Sequence, residues 1–158
     1  FATSVSSDTL PFESGAIVWR IAETSEALLP KDEAGRAKAM QWMFAALNSV
    51  EPHVMNFFTV DIFFANEPWA QARKPSQDAF TRMKLQTLSK RLAGRDYLED
   101  RFTVGDLMMT TVLRFLNHTD IVLSDPVLGP YVMRCQSRPA FQRALAAQMA
   151  DFEELEAA

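Results

Sequence analysis

In "RFTVGDLMMTTVLRFL", residues 101–116, Thr103 stands three positions before Asp106, directly ahead of an apolar run. That spacing is a capping box with Asp in place of Glu. The Thr103 hydroxyl serves the N–H of Asp106, and the Asp106 carboxylate reaches back to the N–H of Thr103. Phe102 and Leu107 flank the box as a hydrophobic staple, and Leu107, Met108, Thr111, Val112, Phe115 and Leu116 form an inward stripe. The stretch predicts a buried helix with a specified start. An acid inside an apolar helix suggests catalysis at first sight, but the cap accounts for Asp106 without chemistry.

The same grammar divides the rest of the chain into helices, with most of the five glycines and eight prolines at the edges of periodic stretches. A first helix is expected over Ser14–Ser25, with Ile17, Val18 and Ile21 on one face. "LLPKDE" reads as a linker, and Asp32 caps a long second helix carrying Met40, Met43, Phe44, Leu47, Val54, Phe57 and Phe58. Pro52 should kink it. "ANEPWAQARKPS" reads as a loop, Ser76 as the start of a third helix, and Gly94 as its end. Asp125 or Ser124 with Pro126 opens a fifth helix, after the one at residues 101–116. Ser137 with Pro139 opens a sixth, on which Phe141, Leu145, Met149 and Phe152 face inward. Only Thr9–Phe12 looks strand-like, and Pro11 restricts it to an edge. The expected class is all-α.

At 158 residues and 48% apolar, the chain suits one main core. A net charge of −4 argues against nucleic acid as a partner, and Lys/Arg-bearing stretches such as Arg82–Arg101 read as solvated helix faces. The lone Cys135 cannot form an internal disulfide, no apolar run suits a bilayer, and no signal segment is seen, so a cytoplasmic location is expected. His53 and His118 lie on different expected helices, and no phosphate loop or zinc spacing occurs, so no metal is expected. Cys135 reads as a packed thiol.

"TLPFESGAIVWRIAE", residues 9–23, places Glu13 and Ser14 at a helix start. Ser14 can be a simple N-cap, or it can join the free N–H groups after it as an anion site at the positive end of the helix dipole. The local sequence leaves both open.

Four segments, "LPFESGAIVWRIAE", "LLPKDEAGRAKAMQWMFAALNSVEP", "FTVGDLMMTTVLRFL" and "YVMRCQSRPAFQRALAAQ", in that order resemble the bacterial glutathione S-transferases over about Leu10 to Gln148. The resemblance implies an all-helical C-terminal domain at residues 29–158. Residues 1–28 would be a remnant, the last strand and helix, of an N-terminal thioredoxin-like α/β domain. It further implies that Glu13 pairs with the ammonium of the γ-glutamyl end of glutathione and Ser14 with its carboxylate. Asn48 would lie where a residue reaches glutathione in the neighbouring subunit. Val54 and Phe58 would face an apolar electrophile, although the Phe57 and Phe58 pair fits a core equally well. The implied activity is conjugation of the glutathione thiol to that electrophile in a homodimer. No thiol-activating residue is identified in the chain, so the alternative is a non-catalytic helical interaction module of the same fold. Uncovered Ile17, Val18 and Ile21 would favour self-association.

Overall fold

The computed structural model describes residues 12–156, and over that span it is a helical bundle. The helices are α1 (Ser14–Ala22), α2 (Glu33–Phe44), α3 (Glu51–Phe63), α4 (Pro68–Leu92), α5 (Val104–Leu113), α6 (Leu128–Gln136) and α7 (Pro139–Glu156). A π-helical stretch, Ala45–Val50, joins α2 to α3, and a 3-10 turn, Arg114–Leu116, prolongs α5. No strand occurs among the described residues. The expected strand at Thr9–Phe12 falls outside them except for Phe12, which is irregular.

Helix α5 is the centre, and the capping box starts it as the sequence requires. Thr103 Oγ1 accepts from Gly105 N at 3.2 Å, and Asp106 Oδ2 accepts from Thr103 N at 2.9 Å. Asp106 is fully buried and also accepts from Leu98 N at 2.9 Å, which fixes the loop before the helix. Val104, Met108, Met109, Val112 and Leu113 are buried around it, whereas Thr111, expected inward, is exposed. α5 packs against α1, α2, α3 and α6, so the helix that the cap specifies stands at the middle of the bundle. Its crossing with α2 is close. A Cβ on Gly105 would lie 2.6 Å from Trp42 Cβ, so only glycine fits without displacement.

Asp32 caps α2 as expected, accepting from Gly35 N at 2.7 Å. Pro52 sits at the start of α3, just past the π-helical stretch, so the long second helix of the sequence is present as α2, that stretch and α3 in succession. Proline has no N–H for the carbonyl four residues back and its ring crowds that carbonyl, and a widened turn accommodates both effects. Glu51 N correspondingly bonds to Ala46 O, five residues back.

The expected loop before Ser76 is corrected. α4 begins at Pro68 and runs straight through Pro75. Pro68 is suited to the first helical turn, where its missing N–H has no partner to lose, and buried Ala70 anchors that turn. α4 ends at Leu92, followed by Gly94 at φ 73°. Asp125 caps α6 from two and three residues upstream, its Oδ1 accepting from Val127 N at 2.8 Å and Leu128 N at 2.9 Å.

Two apolar faces differ from expectation. α1 ends at Ala22 and docks through buried Gly15 and Ala22 with half-buried Val18 and Trp19, leaving Ile17 and Ile21 exposed. On α7, Phe141 and Leu145 are half-buried, but Met149 and Phe152 are exposed at 50% and 55%. Of the helices, α7 packs mainly on α6, so its later turns project past the body that would cover them.

Candidate functional site

The first turn of α1 is unusual in its backbone. Glu13 precedes the helix at φ 71° and ψ 121°, a region that disfavours residues with a Cβ. Ser14 is the first helical residue, not the cap, and no side chain among the described residues caps this helix. The first intrahelical bond runs from Ile17 N to Glu13 O at 3.0 Å, which leaves the N–H groups of Ser14, Gly15 and Ala16 without helical acceptors. An uncapped helix start concentrates partial positive charge where an anion can use it.

Gly15 brings that turn onto the π-helical stretch. It is buried, and a Cβ there would lie 2.7 Å from Leu47 Cδ1. The close approach forms a cleft of about 630 Å³ between α1 and the α2–α3 junction, lined by Glu13, Ser14, Trp19, Met40, Phe44 and Asn48 among others. Three residues singled out in the sequence, Glu13, Ser14 and Asn48, thus meet in one place despite some 34 positions between Ser14 and Asn48. Glu51, one turn beyond Asn48, lines it too. It went unremarked in the sequence because nothing in one register distinguishes it from a solvated acid. The cleft therefore offers carboxylates and free N–H groups side by side, over an apolar floor. That combination suits a zwitterionic ligand with a short apolar portion.

Val54 and Phe58 lie elsewhere. Val54, expected on a substrate wall, is fully buried in the core. Phe58 is half-buried, with its ring edge-on to Phe115 at 5.2 Å and to His118 at 5.7 Å. Neither lines the Glu13 cleft.

The remaining reactive groups are held in structural roles. Cys135 is buried and burial pushes its thiol up to about 11, which suppresses the thiolate. His118 Nε2 lies 3.1 Å from Asp61 Oδ2, and His53 stands edge-on to Phe80. Among the described residues no three His, Cys, Asp or Glu side chains converge as a metal site would require. No described helix is long and apolar enough to cross a membrane.

Solved structures of the same shape are glutathione transferases. One from Burkholderia graminis, with two glutathione molecules bound per subunit, is 25% identical with a TM-score of 0.75, over 85% of this chain and 59% of its own. One from Pseudomonas putida, with one glutathione disulfide bound per subunit, is 25% identical with a TM-score of 0.74, over 85% of this chain and 61% of its own. Transferase F2 from Populus trichocarpa shares the fold at a TM-score of 0.78 and 20% identity, over 92% of this chain and 74% of its own. This chain thus spans about three fifths of the length of the two bacterial structures. No model of a known protein family matches it, and no curated protein does.

Proposed function

We propose that this chain, which has the fold of the C-terminal helical domain of glutathione transferases, holds the γ-glutamyl end of glutathione in the cleft at the start of α1. The observation that carries the reading is the convergence of Glu13, the uncapped N–H groups of Ser14 to Ala16, and Asn48 on one cleft. The ligand end is a zwitterion. Its carboxylate takes the Ser14 hydroxyl and the free N–H groups, and its ammonium takes the Glu13 carboxylate, with Asn48 as a further polar contact. The glutathione bound in the two bacterial neighbours supports this choice of ligand.

The activity that this binding would serve is transfer of the glutathione thiol to an apolar electrophile. A bound thiolate forms a C–S bond at an electrophilic carbon, which releases its leaving group with the bonding pair or, in an addition, takes up the proton the thiol lost, and the fixed γ-glutamyl end keeps the sulfur in reach of that carbon. The exposed Ile17, Ile21, Met40 and Phe44 support assembly as a homodimer, which sedimentation at several concentrations measures directly.

Calorimetric titration of reduced glutathione into the 158-residue chain tests the binding reading. Saturable binding is expected, weakened about tenfold or more by Ser14→Ala and by Glu13→Gln with folding intact. A chain that binds no glutathione, or variants that bind as tightly as the parent, would overturn it.

A further inference from the structure

A separate cleft, of about 450 Å³, lies between α3 and α4 and shares no lining residue with the cleft at Glu13. His53, Asn56, Arg73, Ser76, Gln77 and Phe80 are among the residues that line it, and they offer donors and acceptors together. On the donor side, Arg73 Nη2 gives one hydrogen bond to Asn56 Oδ1 at 3.1 Å, and no carboxylate among the described residues pairs with the guanidinium. No acid among them lines the cleft, and Asp78 on the same helix is held by Arg82 at 2.9 Å. Lys84 adds a second positive charge at the Phe80 end, its Nζ 5.0 Å from the ring centre. This is a local excess of positive charge on a chain whose net charge is −4. On the acceptor side, Gln77 is only 8% exposed. Its Nε2 donates to Asn56 Oδ1 at 3.3 Å, while its buried Oε1 has no partner among the described residues. The Ser76 hydroxyl donates to Arg73 O at 2.8 Å, so its oxygen is left to accept.

We propose that this cleft binds a phosphate ester of a sugar or similar polyol, its phosphate on Arg73 and His53 and its hydroxyls on Gln77 Oε1 and Ser76 Oγ. A phosphate dianion alone answers the guanidinium but brings at most one proton for two acceptors. A neutral sugar brings the protons and leaves the guanidinium without a charge to meet. The ester carries both, which is the combination that the side chains present. A buried acceptor without a donor costs free energy until something donates to it, so the Gln77 oxygen rewards a hydroxyl at that depth. The volume lies within the range of small-molecule sites, and the edge-on contact of His53 with Phe80, 5.2 Å between ring centres, holds the imidazole before the ligand arrives. The proposal does not depend on the glutathione reading, since the two clefts are separate.

The test titrates the full chain at about pH 8 with glucose 6-phosphate and with ribose 5-phosphate, and follows the backbone amide resonances. At least one ester should saturate, moving amides in residues 53–56 and 73–81 and leaving those of Ser14 to Ala16 in place. Inorganic phosphate should bind about tenfold or more weakly than that ester, because it lacks the hydroxyls. Arg73→Gln should weaken the ester about tenfold or more. Ser76→Trp, an exposed change on α4 that fills the cleft, should weaken it at least as much. Thermal melts of each variant establish that it is folded, and Ser76→Trp alone decides the location if Arg73→Gln does not fold. The proposal is overturned if the parent binds neither ester, or if inorganic phosphate binds as tightly as the ester, which would leave an adventitious ion on Arg73. It is also overturned if Ser76→Trp binds the ester as tightly as the parent, or if the shifts fall at Ser14 to Ala16 instead.

Discussion

The Tyr131 hydroxyl donates to Asp106 Oδ1 at 3.1 Å, so α6 is tied to the same buried carboxylate that starts α5 and fixes the loop at Leu98. Asp106→Ala would strand the N–H groups of Leu98 and Thr103 together with that hydroxyl. The expected loss is about 3 kcal/mol or more, since each buried donor left unpaired costs on the order of 1–3 kcal/mol. Urea unfolding measures it, and a midpoint equal to that of the parent would remove the carboxylate from its organising role.

The same group makes stability depend on pH. Burial pushes Asp106 above the ordinary aspartate range, against the hydrogen bonds from Leu98, Thr103 and Tyr131 that favour its ionised form. A raised folded value means that the folded state holds the proton longer than the unfolded chain. The contribution of Asp106 is therefore fullest below the unfolded value and declines as pH rises through the folded one. Relative to Asp106→Asn, the parent should lose stability with rising pH across that acidic window and then level off. A difference that grows with pH would contradict the dominance of burial.

Two glycines at helix crossings should respond differently to alanine. At Gly105 the new methyl meets Trp42 Cβ, which can move only with the α2 backbone, so overpacking should cost about 2 kcal/mol. At Gly15 it meets the end of the Leu47 side chain, which can rotate, and the gain in helix propensity offsets part of the strain. Paired denaturation curves should place Gly105→Ala well below Gly15→Ala, and equal losses would mean that the α2–α5 crossing is looser than it stands.

Glu13 separates stability from binding. Its φ of 71° costs on the order of 1–3 kcal/mol for a residue with a Cβ, whereas glycine takes it freely at some cost in chain entropy. Glu13→Gly should therefore melt no lower than the parent, yet bind glutathione about tenfold or more weakly because the ammonium loses its carboxylate. A clear drop in melting temperature would assign Glu13 to the fold and not to the ligand.

Cys135 should be chemically silent until the chain unfolds. With its thiol near 11, on the order of one molecule in a thousand carries a thiolate at pH 8, and burial blocks access to that fraction. Alkylation followed by mass spectrometry should run at least about a hundredfold slower in the native protein than in urea. Comparable rates would mean that α6 opens readily.

The parts of the fold that could be read in the sequence are those with local chemistry. Thr103 with Asp106, Asp32, and Gly94 each satisfy or end a helix with their own atoms, so a few neighbouring residues reveal them, whereas the Ser137 hydroxyl, expected to open α7, donates back to Arg134 O at the end of α6. What failed depends on neighbours distant in sequence. Pro75 reads as a break because proline interrupts isolated helices, yet α4 continues through it. On α1 the residues that dock are Gly15, Val18, Trp19 and Ala22, and a hydrophobicity pattern favours Ile17 and Ile21 because glycine and alanine weigh little in it. Met149 and Phe152 match a helical stripe but have no body beneath them. For the candidate site, the pairing of Glu13 with Ser14 was legible as a helix start. The closure of the cleft by Leu47, Asn48 and Glu51 was not, because it depends on how α1 crosses the α2–α3 junction.

The π-helical stretch Ala45–Val50 behaves as a phase shift in the middle of a long rod. One residue more than an α-helix needs rotates everything after it by roughly 100° about the axis. Met40 and Phe44 upstream and Leu47 within the stretch are turned toward α1, while downstream Val54 and Phe57 are turned into the core. A single rod with two addresses lets the same segment serve the cleft and the interior, and losing one residue from that stretch would force it to choose.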